Sequence, residues 1–300
     1  MRAFDLNRQN SPENIHRLGA QKQLYFDGKT LFLWQLALTV PVTILLSLSK
    51  VLLNHYWKVD ISWLTGAVGI ALTITEYTLF QTQISSRRSD AAKIQELFDT
   101  SLYEMSWNEI YCGKRPAVET VNRYYRKFEA RDKDGNKLKN LYDWYPVEAD
   151  GIPLTKGILI CQKTNAHYDL TLRERFLKLM YLIAGGTLLA LLIFTFVEDL
   201  DIRSMISQVI LPFLPILTLT LKLRQDHGKS MKNLNELKQY VDKAVDGDNA
   251  GIVPTIESLR QLQDRIYHNR KDSPLIPEQF YNWLRKRLEQ EMHDNAAAMN

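Results

Sequence analysis

Cysteine is scarce in this chain: of 300 residues only Cys112 and Cys161 are cysteines, and they stand far apart. A disulfide framework is excluded, and reduced thiols are the expectation. The glycine loops that cradle phosphates are missing as well, with neither G-x-x-x-x-G-K-[ST] nor G-x-G-x-x-G present. No H-E-x-x-H, C-x-x-C or G-x-S-x-G occurs. The six histidines lack ligand spacing, so His227 and His268 read as surface residues. Cys161, on an apolar helix face, reads as packed rather than nucleophilic. No catalytic residue, metal ligand or cofactor emerges, and the expectation is a protein that is not an enzyme. An excess of charge is also lacking. Lys and Arg number 38 against 34 Asp and Glu, a net +4, too little to make nucleic acid the main partner.

Long apolar runs are what the chain does have. Its mean hydropathy of -0.26 resembles a soluble protein, but the apolar residues are concentrated in four blocks, 31–52, 61–80, 179–197 and 205–221. A hydrocarbon core about 30 Å thick takes about 20 apolar residues to cross as helix. The first two runs meet that length and the third nearly does; the fourth reaches it with its flanks. Basic residues gather at one side: Arg17, Lys22 and Lys29 before the first run, Arg87 and Arg88 after the second, Arg173 and Arg175 before the third, Lys222 and Arg224 after the fourth. The turns at 53–60 and 198–204 carry few. Positive flanks stay cytoplasmic, so both termini and the middle segment are expected in the cytoplasm. The first run is too long for a signal h-region and no small-x-small site follows it.

Helical periodicity continues outside the runs. Ile15, Leu18 and Leu24 share a face, as do Ile94, Leu97, Phe98, Leu102 and Met105, and Val118, Val121, Tyr125 and Phe128. Asp132–Asn136 marks a turn. From Pro153 a helix is expected to run directly into the third apolar block, and another continues past the fourth until Asp246–Gly251 breaks it. Thr255–Asn269 and Glu278–His293 read as the last two helices. The expected fold is an all-α membrane protein, with four transmembrane helices in two hairpins prolonged into a cytoplasmic helical domain. Its parts are an N-terminal helix (1–30), hairpins at 31–80 and 179–221, a helical sensor segment (81–178) and C-terminal helices (222–300).

Polar groups recur inside the runs. Gln35, Thr39, Thr43 and Ser47 form one stripe, joined at its end by Lys50; Gly66, Gly69, Thr73 and Glu76 form another. Such groups face protein or a water-filled cavity, so the stripes read either as helix contacts or as a path that opens when subunits rearrange. Pro212 and Pro215 are expected to kink the fourth span. In the polar segments, aromatic, amide and basic residues cluster near loops and helix ends: Trp144 and Tyr145, Asn165, Asp169 and Arg173, Arg265 and Arg270. Aromatics stack on bases, amides and carboxylates read base edges and Arg pairs with phosphate. The same residues could instead cap a helical core or form surface pairs.

Several short segments carry a resemblance: Ala20–Tyr25, Ala92–Asp99, Asp143–Pro146, Cys161–Asn165 with Tyr168, Asp169 and Arg173, and Leu262–Tyr267 with Arg270, Pro274, Pro277, Tyr281 and Arg285. With the four runs, they make the chain similar to the SMODS-associated four-transmembrane effector family of bacterial cyclic-oligonucleotide anti-phage systems. That resemblance implies a multi-pass protein of the bacterial inner membrane, switched on by a cyclic di- or trinucleotide from a partner cyclic-oligonucleotide synthase. It also implies a homo-oligomer that damages the lipid bilayer, so that the infected cell dies or stops growing. The alternatives are a membrane adaptor that docks a protein partner, or a constitutive small-solute channel.

Overall fold

The computed structural model describes residues 2–197, 201–206, 210–249 and 254–297. Every regular element among them is helical; the nearest thing to a strand is an isolated bridge between Ala3 and Pro153. After a 3-10 turn at Leu6–Asn10, α1 runs without a break over Pro12–Trp57, starting on a proline and passing Pro41. Pro at the first turn is favoured because its missing N–H would have no intrahelical partner there. Lys58, left-handed at φ 56°, ends α1.

The chain then returns as α2 (Ser62–Thr75), a π-helical turn (Glu76–Phe80) and α3 (Gln81–Leu102). The second apolar run is thus interrupted near its end, where the hydrogen-bond register widens by one residue. Short α4 (Glu109–Cys112), amphipathic α5 (Val118–Arg131) and short α6 (Asn136–Lys139) follow. The next long helix, α7, spans Leu154–Val197; after short α8 (Ile202–Met205), α9 spans Leu211–Asn249. The helix expected to break at Asp246 continues to Asn249, because helical bonding tolerates one isolated Gly247 near an end; Ala250 and Gly251 lie outside the described residues. Finally α10 (Ile256–Asp272) begins on an N-cap in which Thr255 Oγ1 accepts from Ser258 N at 3.1 Å, and α11 covers Glu278–Ala297.

The head of the molecule is packed around one core. Leu18 and Leu24 of α1, Ile94 and Phe98 of α3, Phe128 of α5, Ile158 of α7, Leu237 of α9 and Leu262 of α10 all bury there. Close approach is built in by glycine. A Cβ at Gly19 would lie 2.6 Å from the Tyr125 ring, so α1 and α5 touch only because the side chain is absent. A second core joins Phe32, Phe176, Met180 and Leu223 to Phe280, Leu284 and Leu288 of α11. A third, made by Leu191, Phe213 and Ile216 with Val40 and Ile44, holds the apolar ends together.

Among the described residues two helices, α1 over residues 12–54 and α7, are long and apolar enough to cross a membrane; α2 holds a shorter apolar stretch over Ser62–Leu72. The fourth expected run includes residues 207–209, and those lie outside the described residues, as do the side chains of Thr73, Pro212 and Pro215. The polar stripes divide. Gln35, Thr43 and Ser47 are buried within the protein and Thr39 is half-buried. A Cβ at Gly66 or Gly69 would meet nothing within 4 Å. Glu76 pairs with Lys222 Nζ at 3.0 Å, tying the end of the second run to the end of the fourth.

Candidate functional site

Several elements face one another below the apolar ends and leave a cavity of about 460 Å³ between them. The α7 wall carries Asn165, Tyr168, Asp169, Leu172 and Arg173, whose spacing places them on one helical face. Opposite stands α10 with Asn269 and Arg270. Lys22, Tyr25 and Lys29 come from α1, and the loop Lys139–Tyr145 supplies Trp144. Tyr281 and Arg285 of α11 complete the rim. Volumes of 300–1,000 Å³ are usual for small-molecule sites.

The floor is a buried charge network. Asp99 of α3, fully buried, accepts from the Tyr145 hydroxyl at 2.7 Å, Gln263 Nε2 at 3.0 Å and Arg270 Nη1 at 2.5 Å. Gln263 Nε2 also donates to Glu96 at 2.8 Å. Burial opposes charge on Arg270, but Asp99 outweighs it and holds the guanidinium above its ordinary pKa. The Nη2 of Arg270 is buried and has no partner among the described residues. That leaves a fixed, neutralised cation with spare donor capacity at the cavity wall.

Arg173 is anchored from three sides: its Nε donates to Asp169 at 3.0 Å, and Nη1 donates to the Pro274 carbonyl at 2.9 Å and to His227 Nδ1 at 3.1 Å. His227 is 0% exposed, which corrects the surface placement its sequence suggested. It is carried inward on α9 against Phe176, at a ring distance of 5.2 Å. Burial, helped by Arg173, pushes its pKa down to about 2, so the imidazole stays neutral and accepts from the arginine. Cys161 is fully buried, as its position on an apolar face implies, and burial raises its thiol pKa.

Of the seven head residues singled out in the sequence, six line this one cavity: Trp144, Tyr145, Asn165, Asp169, Arg173 and Arg270. Arg265 does not join them. It points outward from α10 and pairs with Glu236 at 2.8 Å, both half exposed. Tyr145 reaches the cavity differently from Trp144. Its ring is buried, stacked on Phe98 at 6.1 Å, and only its hydroxyl, which receives Asn165 Nδ2 at 2.6 Å, serves the wall. Trp144 is partly exposed and carries Lys22 Nζ 5.2 Å above its ring. The residues missed were Asp99, Tyr25, Lys22, Tyr281 and Arg285. All lie within the short segments that carry the family resemblance, but no spacing rule links positions so distant in sequence.

The lining holds six cations (Lys22, Lys29, Lys139, Arg173, Arg270, Arg285) against three carboxylates (Asp143, Asp169, Glu278), and Asp99 behind Arg270 adds a fourth counter-charge, which still leaves a positive surplus. Such a surplus in a partly enclosed site raises the local concentration of anions. A second cluster beneath it, Glu96, Cys112 and Asp264, brings three potential ligand atoms within 4.8 Å of one another. Both carboxylates are already engaged: Arg260 bridges Glu96 at 2.6 Å and Asp264 at 2.5 Å, and the Gln263 and Asn108 amides donate to them as well. Burial lifts the Cys112 thiol to about 12, so this group reads as an ion-pair node that fastens α10 to α3.

The pattern of the SMODS-associating 4TM effector domain matches residues 6–299. The chain belongs to this family. A probable CBASS effector molecule of Bacillus cereus strain VD146 is 27% identical over 293 residues, covering 95% of this chain and 94% of that protein. No solved structure matches the chain significantly. Family membership places the protein among effectors of bacterial anti-phage defence and associates it with a membrane and with cyclic-oligonucleotide synthase systems.

Proposed function

We propose that this effector is a ligand-gated, multi-pass protein of the bacterial inner membrane that carries no enzymatic activity of its own. Four spans in two hairpins place both termini and the helical head in the cytoplasm. A cyclic di- or trinucleotide binds the head cavity, and the bound form assembles into a homo-oligomer that breaches the bilayer and stops growth of the infected cell. The observation that carries this reading is the cavity itself: 460 Å³, six cations over three carboxylates, and a partly open Trp144 at the rim. Phosphates take the cationic wall, with the spare Nη2 of Arg270 as a donor. A base stacks on Trp144, and Asn165 and Asp169 contact base edges. Tyr145 acts through its hydroxyl, as the support of that wall. The ligand can shift assembly only through unequal affinity for the two states.

Titration calorimetry of the purified full chain against a panel of cyclic di- and trinucleotides tests the ligand. At least one member is expected to bind, and Trp144→Ala to weaken it; binding of none would sink the proposal.

A further inference from the structure

The last helix stands at an unusual level in the molecule. Glu278, in the first turn of α11, pairs with Lys29 at 2.7 Å, two residues before the apolar run of α1. Glu291, more than three turns later, accepts from Arg175 Nη2 at 3.0 Å, four residues before the apolar run of α7. Between these ties α11 covers about 20 Å at 1.5 Å per residue. Both anchors sit just below the start of an apolar run. The helix therefore crosses the base of the apolar bundle instead of running along it.

Its three faces do different things. Phe280, Leu284 and Leu288 bury against Phe32, Phe176, Met180 and Leu223. Tyr281 and Arg285 line the cavity. At 100° per residue, Trp283 and Arg287 stand roughly 200° around the helix from that pair. The cavity lies on the head side of α11, so this face turns toward the apolar end. Among the described residues none covers it: Trp283 is 77% exposed, and Arg287, held by Glu291 at 3.0 Å, is exposed too.

A tryptophan so placed has a physical occupant. Indole rings gather at the headgroup level of bilayers, where one edge is apolar and the other wet. The remaining exposed tryptophans fit the same frame. Trp34 lies at the head end of the first apolar run, and Trp57 and Trp63 lie at the far turn. Trp34 and Trp57 are roughly 35 Å apart along the helix, which brackets a hydrocarbon core of about 30 Å.

We propose that α11 is a membrane-interface helix: Trp283 seats in the phospholipid headgroup layer on the head side of the bilayer, with Arg287 beside headgroup phosphate. Because Tyr281 and Arg285 on its other face line the cavity, α11 touches ligand site and lipid surface at once. The inference rests on the membrane reading above, and the test separates the two. The full chain is reconstituted in phosphatidylglycerol-containing nanodiscs with a nitroxide attached singly at Trp283→Cys, Leu45→Cys or Ile110→Cys. The native Cys112 and Cys161 are buried and remain in place. Leu45 is exposed within the first apolar run, and Ile110, 93% exposed, lies in the head. Relaxation by oxygen against an aqueous nickel chelate reports depth. The label at 283 is expected to give an oxygen-to-nickel ratio several-fold above that at 110 and below that at 45. A ratio at 283 equal to that at 110, with 45 still oxygen-dominated, overturns the role of α11. A nickel-accessible label at 45 overturns the membrane reading, and the inference with it. Should Trp283→Cys fail to fold, the same comparison at exposed Gln290, on the same face, decides it by the same criterion.

Discussion

The two ends of the same helices follow opposite rules. In the head, α1 and α7 are closed in by α3, α5, α9 and α10, and buried and half-buried charges in these helices are paired: Asp99 with Arg270, Glu96 with Arg260, Asp169 with Arg173. At the apolar end, Leu45 and Ile70 face outward, and Gly66 has open space around it. Polar groups fix one arrangement in the head because burying an unmatched charge is costly. The apolar end carries surface that lipid or a second copy would cover. Under the proposed function, a ligand would act on the head and the disturbance would arise at the apolar end, the two joined by single helices.

The largest effect is expected from disturbing the charge pairing in the head. Asp99→Asn leaves Arg270 buried without its counter-charge and should destabilise the protein by about 3–5 kcal/mol, read as a large fall in the melting temperature of detergent-solubilised protein. A melting point unchanged by this substitution would mean that the network is not what holds the head.

Acid should act on the same half. His227 stays neutral in the folded protein because its pKa has fallen from 6.5 to about 2. Below pH 6.5 the unfolded chain takes up a proton that the folded chain does not. Stability is therefore complete above 6.5 and declines as pH falls toward 2, by about 1.4 kcal/mol per unit. That amounts to about 2 kcal/mol at pH 5, measurable as a melting-temperature series. His227→Leu should flatten that slope, whatever it does to stability at neutral pH.

Trp144→Ala tests the open part of the head. The residue is partly exposed, so folding should persist while affinity for the bound cyclic nucleotide falls by at least about 1 kcal/mol, the lower range for a stacked base. Equal affinity in calorimetry would remove Trp144 from the site. Arg265→Ala is the companion control, since an exposed pair contributes less than about 1 kcal/mol; neither binding nor melting should change appreciably.

The smallest effect on stability is expected at the other end. Gly66→Leu adds a side chain where the single chain offers only open space, so the melting temperature should hold. If α2 packs against another copy, the same variant should lower the mass of the ligand-bound assembly in mass photometry. An unaltered assembly would place the contact elsewhere.

Much of this division was legible in the sequence. The apolar runs stood out by length, and the four-residue spacing of Ile94, Phe98 and Leu102 marked a buried face that the structure places in the core. Asn165, Asp169 and Arg173 were legible as one face because a single helix sets their spacing, and that face lines the cavity. Asp99 was not, because its partners Tyr145, Gln263 and Arg270 come from distant segments and only tertiary packing brings them together. Arg265 was misplaced for a related reason. It lies five residues before Arg270, about 140° around the helix, so the two arginines leave α10 on different sides. His227 gave no local signal at all: its burial depends on how α9 lies against α7.

The central question is whether the head cavity governs the apolar end. Dye release from proteoliposomes containing the full chain, with each cyclic nucleotide that binds in calorimetry, measures this directly. Release is predicted only when ligand is present, and with Trp144→Ala it should require correspondingly more ligand. Release that is equal with and without ligand, or a dose response that Trp144→Ala leaves unmoved, would contradict it.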